Sequence, residues 1–127
     1  MTAQILDGNA LAKSIRARLR LIVQQWSNQG HRPPGLAVIL VGEGPASAVY
    51  VKGKRRDCEE VGVYSKALHL NADIGQTELE AHIDELNADP AIDGILVQSP
   101  LSPHHDEDRI IDRILPNKDV DGFHAYN

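Results

Sequence analysis

The sequence predicts an α/β fold in which a small parallel sheet is covered by helices, giving three layers. Segments with helical periodicity alternate with short apolar runs in the order α-β-α-β-α-β-α. This alternation implies parallel strands joined by crossover helices. The run at 35–42, GLAVILVG, is continuously apolar, which is typical of a strand buried on both faces. Three strands are few for such a fold, so we expect it to be completed either by further strands or by a partner surface.

The first predicted element is a helix that follows Asp7 and Gly8. Its apolar residues recur at steps of three and four, which places them on one stripe of a 3.6-residue helix. These residues are Leu11, Ile15, Leu19, Ile22, Val23 and Trp26. Gly30 predicts the end of the helix, and the following Pro33 and Pro34 prevent its continuation.

After the apolar strand, a turn with the sequence EGPAS leads into a second helix. This helix is predicted from Ala46 to Val61, and Gly62 is expected to end it. The segment 63–70, VYSKALHL, alternates enough to be a strand near an edge of the sheet.

The last three elements are a helix, a buried strand and a shorter helix. Thr77 is expected to cap the helix TELEAHIDELNAD, whose inward residues are Leu79, Ile83 and Leu86. Asp93-Gly94 lead into the strand GILVQ, which ends at Gln98. The final helix is predicted over 108–115, because Pro116 stops it.

Composition bounds the class of protein. The chain has 127 residues, of which 42% are hydrophobic, and this is enough for one domain with a core. A net charge of −5 argues against nucleic-acid binding. One cysteine, Cys58, favours a reducing compartment, and the N-terminus has no apolar run typical of a signal or membrane segment. We therefore expect a soluble cytoplasmic protein that binds neither nucleic acid nor membrane.

A site is expected at the carboxyl edge of the sheet, where ligands bind in open α/β folds. There Gln98 is followed by SPLSP, and the EGPAS turn lies at the same edge. Proline does not disturb a strand that has already ended, and its rigid backbone suits the wall of a cleft. The sequence thus places an amide and a stiff turn where a pocket is expected.

One face of the second helix carries a hydroxyl, a phenol and an amine. Ser47, Tyr50 and Lys54 lie at i, i+3 and i+7 and therefore share that face. A lysine in such a place is a candidate general acid and base. The alternative is that YVKGKRR is a solvated basic helix face.

Other polar clusters carry weaker signals. Asp119 and Asp121 in PNKDVDGFH form either a polar turn or a carboxylate site for a ring rich in N–H groups, and the spacing does not fit a calcium loop. His104 and His105 are adjacent without a spaced third ligand, so we expect a surface loop and no metal site. Cys58 is interpreted as a helix-packing residue.

Three motifs in this order resemble one family. PAS-x-x-YVxxKxxxCxxxG, DGILVQ-x-PL and PxKDVDGFH are similar to the catalytic half of the bifunctional methylenetetrahydrofolate dehydrogenase/cyclohydrolases, and the resemblance runs from Asp7 to the last residue. It implies a catalytic Lys54, and a Gln98 that hydrogen-bonds this lysine. The remaining site residues that it implies are Ser47 beside the lysine, Tyr50 stacked on the folate, Pro100 and Leu101 along the substrate, and Asp121 on the pterin ring.

The resemblance also implies a reaction, a cofactor and an assembly. Family members oxidise 5,10-methylene-tetrahydrofolate with NADP and hydrolyse the methenyl product to 10-formyl-tetrahydrofolate, which serves purine and amino-acid biosynthesis. Residues 1–117 are expected to form the folate-binding catalytic domain. Residues 118–127 would begin the connection to a Rossmann-type NADP-binding domain that the chain lacks, so no cofactor site is expected here. The full-length protein is expected to be a homodimer.

The sequence departs from the family pattern at Ser99 and Ser102, where leucine and proline are usual. This departure predicts a looser or wetter cleft wall. Two other functions remain open, namely a folate-like binding module without catalysis and a regulatory or scaffold domain that retains the fold.

Overall fold

A computed structural model of the chain describes residues 2–127 and confirms the predicted class and order of elements. The elements are α1 (Gly8–Asn28), β1 (Gly35–Val41), α2 (Pro45–Val61), β2 (Tyr64–Leu70), α3 (Gln76–Ala88), β3 (Gly94–Val97), α4 (Glu107–Arg113) and a 3-10 turn (Pro116–Lys118). The three strands are parallel in the order β2-β1-β3. The predicted edge position of β2 is therefore confirmed.

The central strand β1 divides the interior into two packed sides. Its residues Ala37, Ile39 and Val41 belong to a buried cluster with α3, α4 and β3, which includes Leu79, Ile83, Leu86, Ile95 and Ile110. The alternate residues Val38 and Leu40 are also buried, and they point to the opposite face because side chains alternate along a strand. On that side α2 contributes buried Cys58 and Val61. The sheet thus lies between two helical layers.

Helix α1 begins where the sequence predicts but is only partly covered. The carboxylate of Asp7 caps it by accepting a hydrogen bond from the Ala10 N–H at 3.1 Å. The helix contacts α2, where Arg16 pairs with Glu60 at 3.1 Å, and Val23 is the one residue of the predicted apolar stripe that is half-buried. Even so, Leu11 remains 63% exposed and Leu19 43% exposed. No helix within residues 2–127 is long and apolar enough to cross a membrane.

Two predicted helix ends are wrong, and both errors have tertiary causes. Thr77 does not cap α3, because the helix begins at Gln76 with Gly75 as its N-cap residue. The Gln76 side chain instead accepts a hydrogen bond from the Asp106 N–H at 2.9 Å. Helix α4 spans 107–113 and not 108–115, and it ends before Pro116 is reached.

The side chain of Asn87 explains the early end of α4. Its amide donates to the Arg113 carbonyl at 2.9 Å, and its oxygen accepts from the Leu115 N–H at 3.1 Å. A side chain of α3 thereby takes over two backbone groups at the end of α4. Asp106 caps the other end, since its carboxylate accepts from the Arg109 N–H at 3.2 Å.

An ion pair fixes the amino-terminal edge of the sheet. Both carboxylate oxygens of Asp93 accept hydrogen bonds from Arg32 at 2.7 Å, and Asp93 also accepts from the Gly35 N–H at 2.9 Å. The hydrogen bond from Arg32 is the main reason that the pKa of Asp93 is lowered to about 2. These contacts hold the start of β1 beside the start of β3.

Candidate active site

The turn between β1 and α2 sets where the second helix starts. Gly42 adopts a φ of +82°, which favours glycine, and α2 begins at Pro45. The Gly42 N–H donates to the Leu70 carbonyl at 2.9 Å, and Nε2 of His69 lies 2.6 Å from the Gly42 carbonyl oxygen. Two bonds to β2 therefore hold this turn, and the face with Ser47, Tyr50 and Lys54 follows directly.

Lys54 and Gln98 meet across the carboxyl edge of the sheet. The Lys54 amine donates to Oε1 of Gln98 at 3.0 Å, and both residues are half-buried. The Gln98 N–H donates to the Ile39 carbonyl at 2.9 Å, so its backbone is held to β1 just beyond the end of β3. Nε2 of Gln98 faces the Ser99 carbonyl at 3.5 Å, which leaves the amide oxygen toward the lysine.

Ser47 and Tyr50 lie near this contact, on the same face of α2. The Ser47 hydroxyl donates to the Ser99 carbonyl at 3.4 Å. The Lys54 nitrogen is 5.7 Å from the centroid of the Tyr50 ring, and Tyr50 is 63% exposed. The ring therefore has a face that an incoming planar group can stack on. Ser47 and Lys54 both contact the segment that starts at Gln98.

The segment 98–103 forms the wall opposite α2, and we call it the cleft wall. Pro100 is exposed and follows a cis peptide bond, while Leu101 packs against the core. The Ser99 hydroxyl donates to the Glu107 carboxylate at 2.7 Å, and the Ser102 hydroxyl donates to the Ala72 carbonyl at 2.9 Å. Both hydroxyls thus have protein acceptors.

The two aspartates of the C-terminal turn have different surroundings. Asp119 accepts hydrogen bonds from the backbone of Gly122 and His124 and from the Asn127 side chain. Burial works to raise its pKa, but these hydrogen bonds prevail and the pKa is lowered. Asp121 is exposed and lines a narrow groove with Ser99. Asp119 therefore holds the turn, and both aspartates line this groove, which does not include Ser47, Tyr50 or Lys54.

The remaining candidates lie outside the cleft. His104 and His105 both direct Nε2 at the Ile74 carbonyl, at 3.1 and 2.6 Å. No group of three His, Cys, Asp or Glu side chains in residues 2–127 is placed to hold a metal ion. Cys58 is buried in α2, and burial raises the pKa of its thiol, as expected for a packing residue.

Sequence reasoning missed Glu107 and the loop at Ala72 as parts of the site. The serines of SPLSP were visible as departures from a pattern, but their acceptors lie 8 and 30 residues away. No local periodicity links residues at such separations. The only local signal was Glu107, near the start of a predicted helix. A glutamate there is equally explained by a favourable interaction with the helix dipole.

Comparison with known proteins identifies what the chain is similar to. Residues 6–121 match the family model described as "Tetrahydrofolate dehydrogenase/cyclohydrolase, catalytic domain". A bifunctional methylenetetrahydrofolate dehydrogenase/cyclohydrolase from Campylobacter jejuni is 47% identical with a TM-score of 0.93, over 97% of this chain and 43% of that chain. A 5,10-methylenetetrahydrofolate dehydrogenase from the silkworm Bombyx mori is 41% identical with a TM-score of 0.95. This match covers 98% of this chain and 43% of that chain.

A third solved structure carries a cofactor. The methylenetetrahydrofolate dehydrogenase-cyclohydrolase of Trypanosoma brucei, complexed with NADP cofactor and an inhibitor, is 35% identical with a TM-score of 0.90. The match covers 95% of this chain and 41% of that chain. The chain thus spans less than half the length of these three proteins.

Proposed function

The chain belongs to the tetrahydrofolate dehydrogenase/cyclohydrolase family, and from this premise we propose that it supplies the folate site and catalytic lysine of that activity. The overall reaction is the NADP-dependent oxidation of 5,10-methylene-tetrahydrofolate and the hydrolysis of the methenyl product to 10-formyl-tetrahydrofolate. Residues 1–117 form the catalytic domain in this proposal, and 118–127 begin the connection to a second domain. The protein acts in one-carbon metabolism in the cytoplasm, as a homodimer when full length.

The observation that supports this proposal most strongly is the 3.0 Å contact between Lys54 and Gln98. The two residues are 44 positions apart and come from a helix face and a strand end that the sequence singled out separately. An uncharged amide holds the amine in place without adding a carboxylate that would fix a proton on it. A lysine held in this way can both take up and release a proton during a reaction.

Binding of the folate is assigned to groups around this pair. Tyr50 offers a ring face for stacking, and Asp121 offers a carboxylate to the N–H groups of the pterin ring. Pro100 and Leu101 line the substrate on the other side. Ser47 supports the surroundings of Lys54 through its bond to the Ser99 carbonyl at 3.4 Å.

In this proposal Lys54 moves a proton twice during hydrolysis. A water molecule adds to the methenyl carbon while the neutral amine of Lys54 takes a proton from the water. The bond from that carbon to N5 then breaks, and the resulting ammonium returns its proton to N5. As the C=O bond of the formyl group forms, the hydroxyl on the carbon releases its remaining proton to solvent. The formyl group remains on N10. One lysine thus serves first as general base and then as general acid, and Gln98 keeps it in reach of the reacting atoms.

The turn of this chain that most resembles a dinucleotide-binding loop does not fit the NADP cofactor. The GEGPAS turn has the first two glycines of a dinucleotide fingerprint, but Ser47 stands where the third glycine belongs. The Ser47 hydroxyl is also engaged with the cleft wall at 3.4 Å. No hydride-transfer step is therefore derived for these residues, and the 127-residue chain by itself should not produce NADPH from 5,10-methylene-tetrahydrofolate.

Titration calorimetry with 5,10-methenyl-tetrahydrofolate tests the folate site. A hydrogen bond to a charged group contributes about 1.5–3 kcal/mol, so Asp121→Ala should weaken binding about tenfold or more. Tyr50→Ala should also weaken binding, whereas Tyr50→Phe keeps the ring and should retain most of it. The control is Asp112→Ala, which removes an exposed carboxylate of α4. Equal affinity of the parent and Asp121→Ala would contradict the assignment.

A domain-exchange experiment distinguishes a catalytic domain from a domain that only binds folate. Residues 6–121 would replace the matching segment of the Campylobacter jejuni enzyme, which is 47% identical to this chain. We expect the chimaera to catalyse both the oxidation and the hydrolysis. Such activity would support the proposal that this chain is the catalytic domain of an enzyme. A folded chimaera that binds the folate but converts nothing would favour the binding or regulatory module instead.

A further inference from the structure

We propose that Ser99 and Ser102 are positioning residues, whose hydroxyls hold the cleft wall so that Gln98 stays against Lys54. The inference deepens the proposed function, because it concerns the same lysine. It starts from where the sheet ends. The Gln98 N–H makes a ladder bond to the Ile39 carbonyl at 2.9 Å, and β3 has already ended at Val97. The wall beyond Gln98 therefore depends on contacts other than the strand ladder.

The carbonyl of Ser99 is an acceptor shared by two site residues. It receives the Ser47 hydroxyl at 3.4 Å and Nε2 of Gln98 at 3.5 Å. Both distances lie beyond the usual range of about 2.7–3.2 Å, so a small displacement of this carbonyl would break them. The orientation of the Gln98 amide, and hence of the oxygen that faces Lys54, is sensitive to where Ser99 sits.

The Ser99 hydroxyl fixes that position. It donates to Oε1 of Glu107 at 2.7 Å, a short bond to a charged acceptor and stronger than the two long bonds. Glu107 is the first residue of α4, whose next turn buries Ile110 in the core. The bond therefore connects the cleft wall to a helix that is anchored in the core.

The Ser102 hydroxyl holds the other end of the wall. It donates to the Ala72 carbonyl at 2.9 Å, in the loop between β2 and α3. A side chain on Gly42 would touch Ala72 at 3.4 Å, so this loop packs directly against the turn that starts α2. The wall and the helix that carries Lys54 thus share one support.

This arrangement requires a hydrogen-bond donor at positions 99 and 102. An apolar residue at either position can fill space, but it cannot supply a donor to Glu107 or Ala72. Threonine retains the hydroxyl, and Glu107→Gln retains an acceptor oxygen. A role in filling space and a role in hydrogen bonding therefore predict different results for the conservative variants.

The experiment follows the side-chain amide of Gln98 by NMR in the ¹⁵N-labelled 127-residue chain. In Ser99→Ala and Ser102→Ala we expect shifted Gln98 amide signals and hydrogen exchange faster by about 3- to 10-fold, the factor expected for one lost hydrogen bond. Glu107→Ala should change the Gln98 amide signals in the same way as Ser99→Ala. The double variant Ser99→Ala/Glu107→Ala should show no larger change than either single variant. Ser99→Thr, Ser102→Thr and Glu107→Gln should restore the parent signals. Ser14→Ala, on the exposed side of α1, is the control.

The same variants are then placed in the domain-exchange chimaera. Methenyl hydrolysis should show a lower kcat, by a similar factor, with little change in KM, because the folate-binding groups are untouched. Unchanged Gln98 signals in all three alanine variants would overturn the inference, whatever the chimaera does. If Ser99→Ala does not fold, Glu107→Ala provides the test of that bond. Failure of the parent to bind folate would overturn the proposed function, and the NMR comparison would still decide the role of the serines.

Discussion

Gln98→Leu is expected to slow methenyl hydrolysis by removing the group that positions the catalytic amine. Leucine is of similar size but has no acceptor oxygen, so Lys54 loses its partner at 3.0 Å. The backbone bond of Gln98 to the Ile39 carbonyl is unaffected by the substitution. The effect should therefore fall on the reaction and not on the fold.

The size of the effect follows from the geometry. A hydrogen bond to a charged group contributes about 1.5–3 kcal/mol, and the half-buried position of this pair favours the lower part of that range. A loss of about 1.5–2 kcal/mol in the transition state corresponds to a rate about 10- to 30-fold lower. Folate affinity should change less, because Tyr50 and Asp121 remain.

The assay is the decay of methenyl absorbance in the chimaera, with Lys54→Met and the double variant beside Gln98→Leu. Because Gln98 acts through Lys54, the double variant should be no slower than Lys54→Met alone. Gln25→Leu, on the exposed surface of α1, is the matched control. Fully additive losses would refute the reasoning, since they would mean that Gln98 acts on the folate independently of the lysine.

Two further predictions concern the fold. Asp93 has a pKa lowered to about 2 from 3.8, so its pair with Arg32 stabilises the fold above the unfolded-state pKa and this stabilisation is lost as pH falls toward 2. The shift sets a ceiling of about 2.4 kcal/mol, and because the pair is half-exposed we expect Asp93→Asn to cost about 1 kcal/mol at pH 7 in urea melts. The difference should shrink between pH 4 and pH 2, and a constant difference would count against the pair. Gly35→Ala places a Cβ onto the Ala91 carbonyl and should cost about 1–3 kcal/mol, whereas Gly53→Ala in open space on α2 should be neutral or stabilising; equal thermal stability of the two variants would contradict this account.

The elements of the fold were predictable because their signals are local. The apolar run of β1 and the alternation of helices and strands specify the class without any long-range information. Helix ends were predicted less well, because they depend on residues distant in sequence. Asn87 ends α4, and the bond between Gln76 and Asp106 joins the starts of α3 and α4. Neither contact has a periodic signature.

The candidate site also has parts that local sequence predicted and parts that it did not. Spacing placed Ser47, Tyr50 and Lys54 on one face, and the end of β3 placed Gln98 at the carboxyl edge. Their meeting requires β3 to pair with β1 in the observed register. The alternation of elements predicted that the strands are parallel, but it predicted neither their order nor their register. The role of Asp121 came from the resemblance to a family and stays a prediction. The bonds of the cleft wall were not predictable, because they join side chains whose separation is set by tertiary packing.

The most direct test of the central claim is the rate of methenyl hydrolysis in the chimaera with Lys54 and with Lys54→Met. Methionine is similar in length to lysine but cannot move a proton, and general acid-base catalysis contributes a factor of about 10²–10⁴. We expect hydrolysis to fall by about this factor while calorimetry shows that folate binding is retained. Hydrolysis at the parent rate would contradict the account, and the face with Ser47, Tyr50 and Lys54 would then be the solvated basic helix surface.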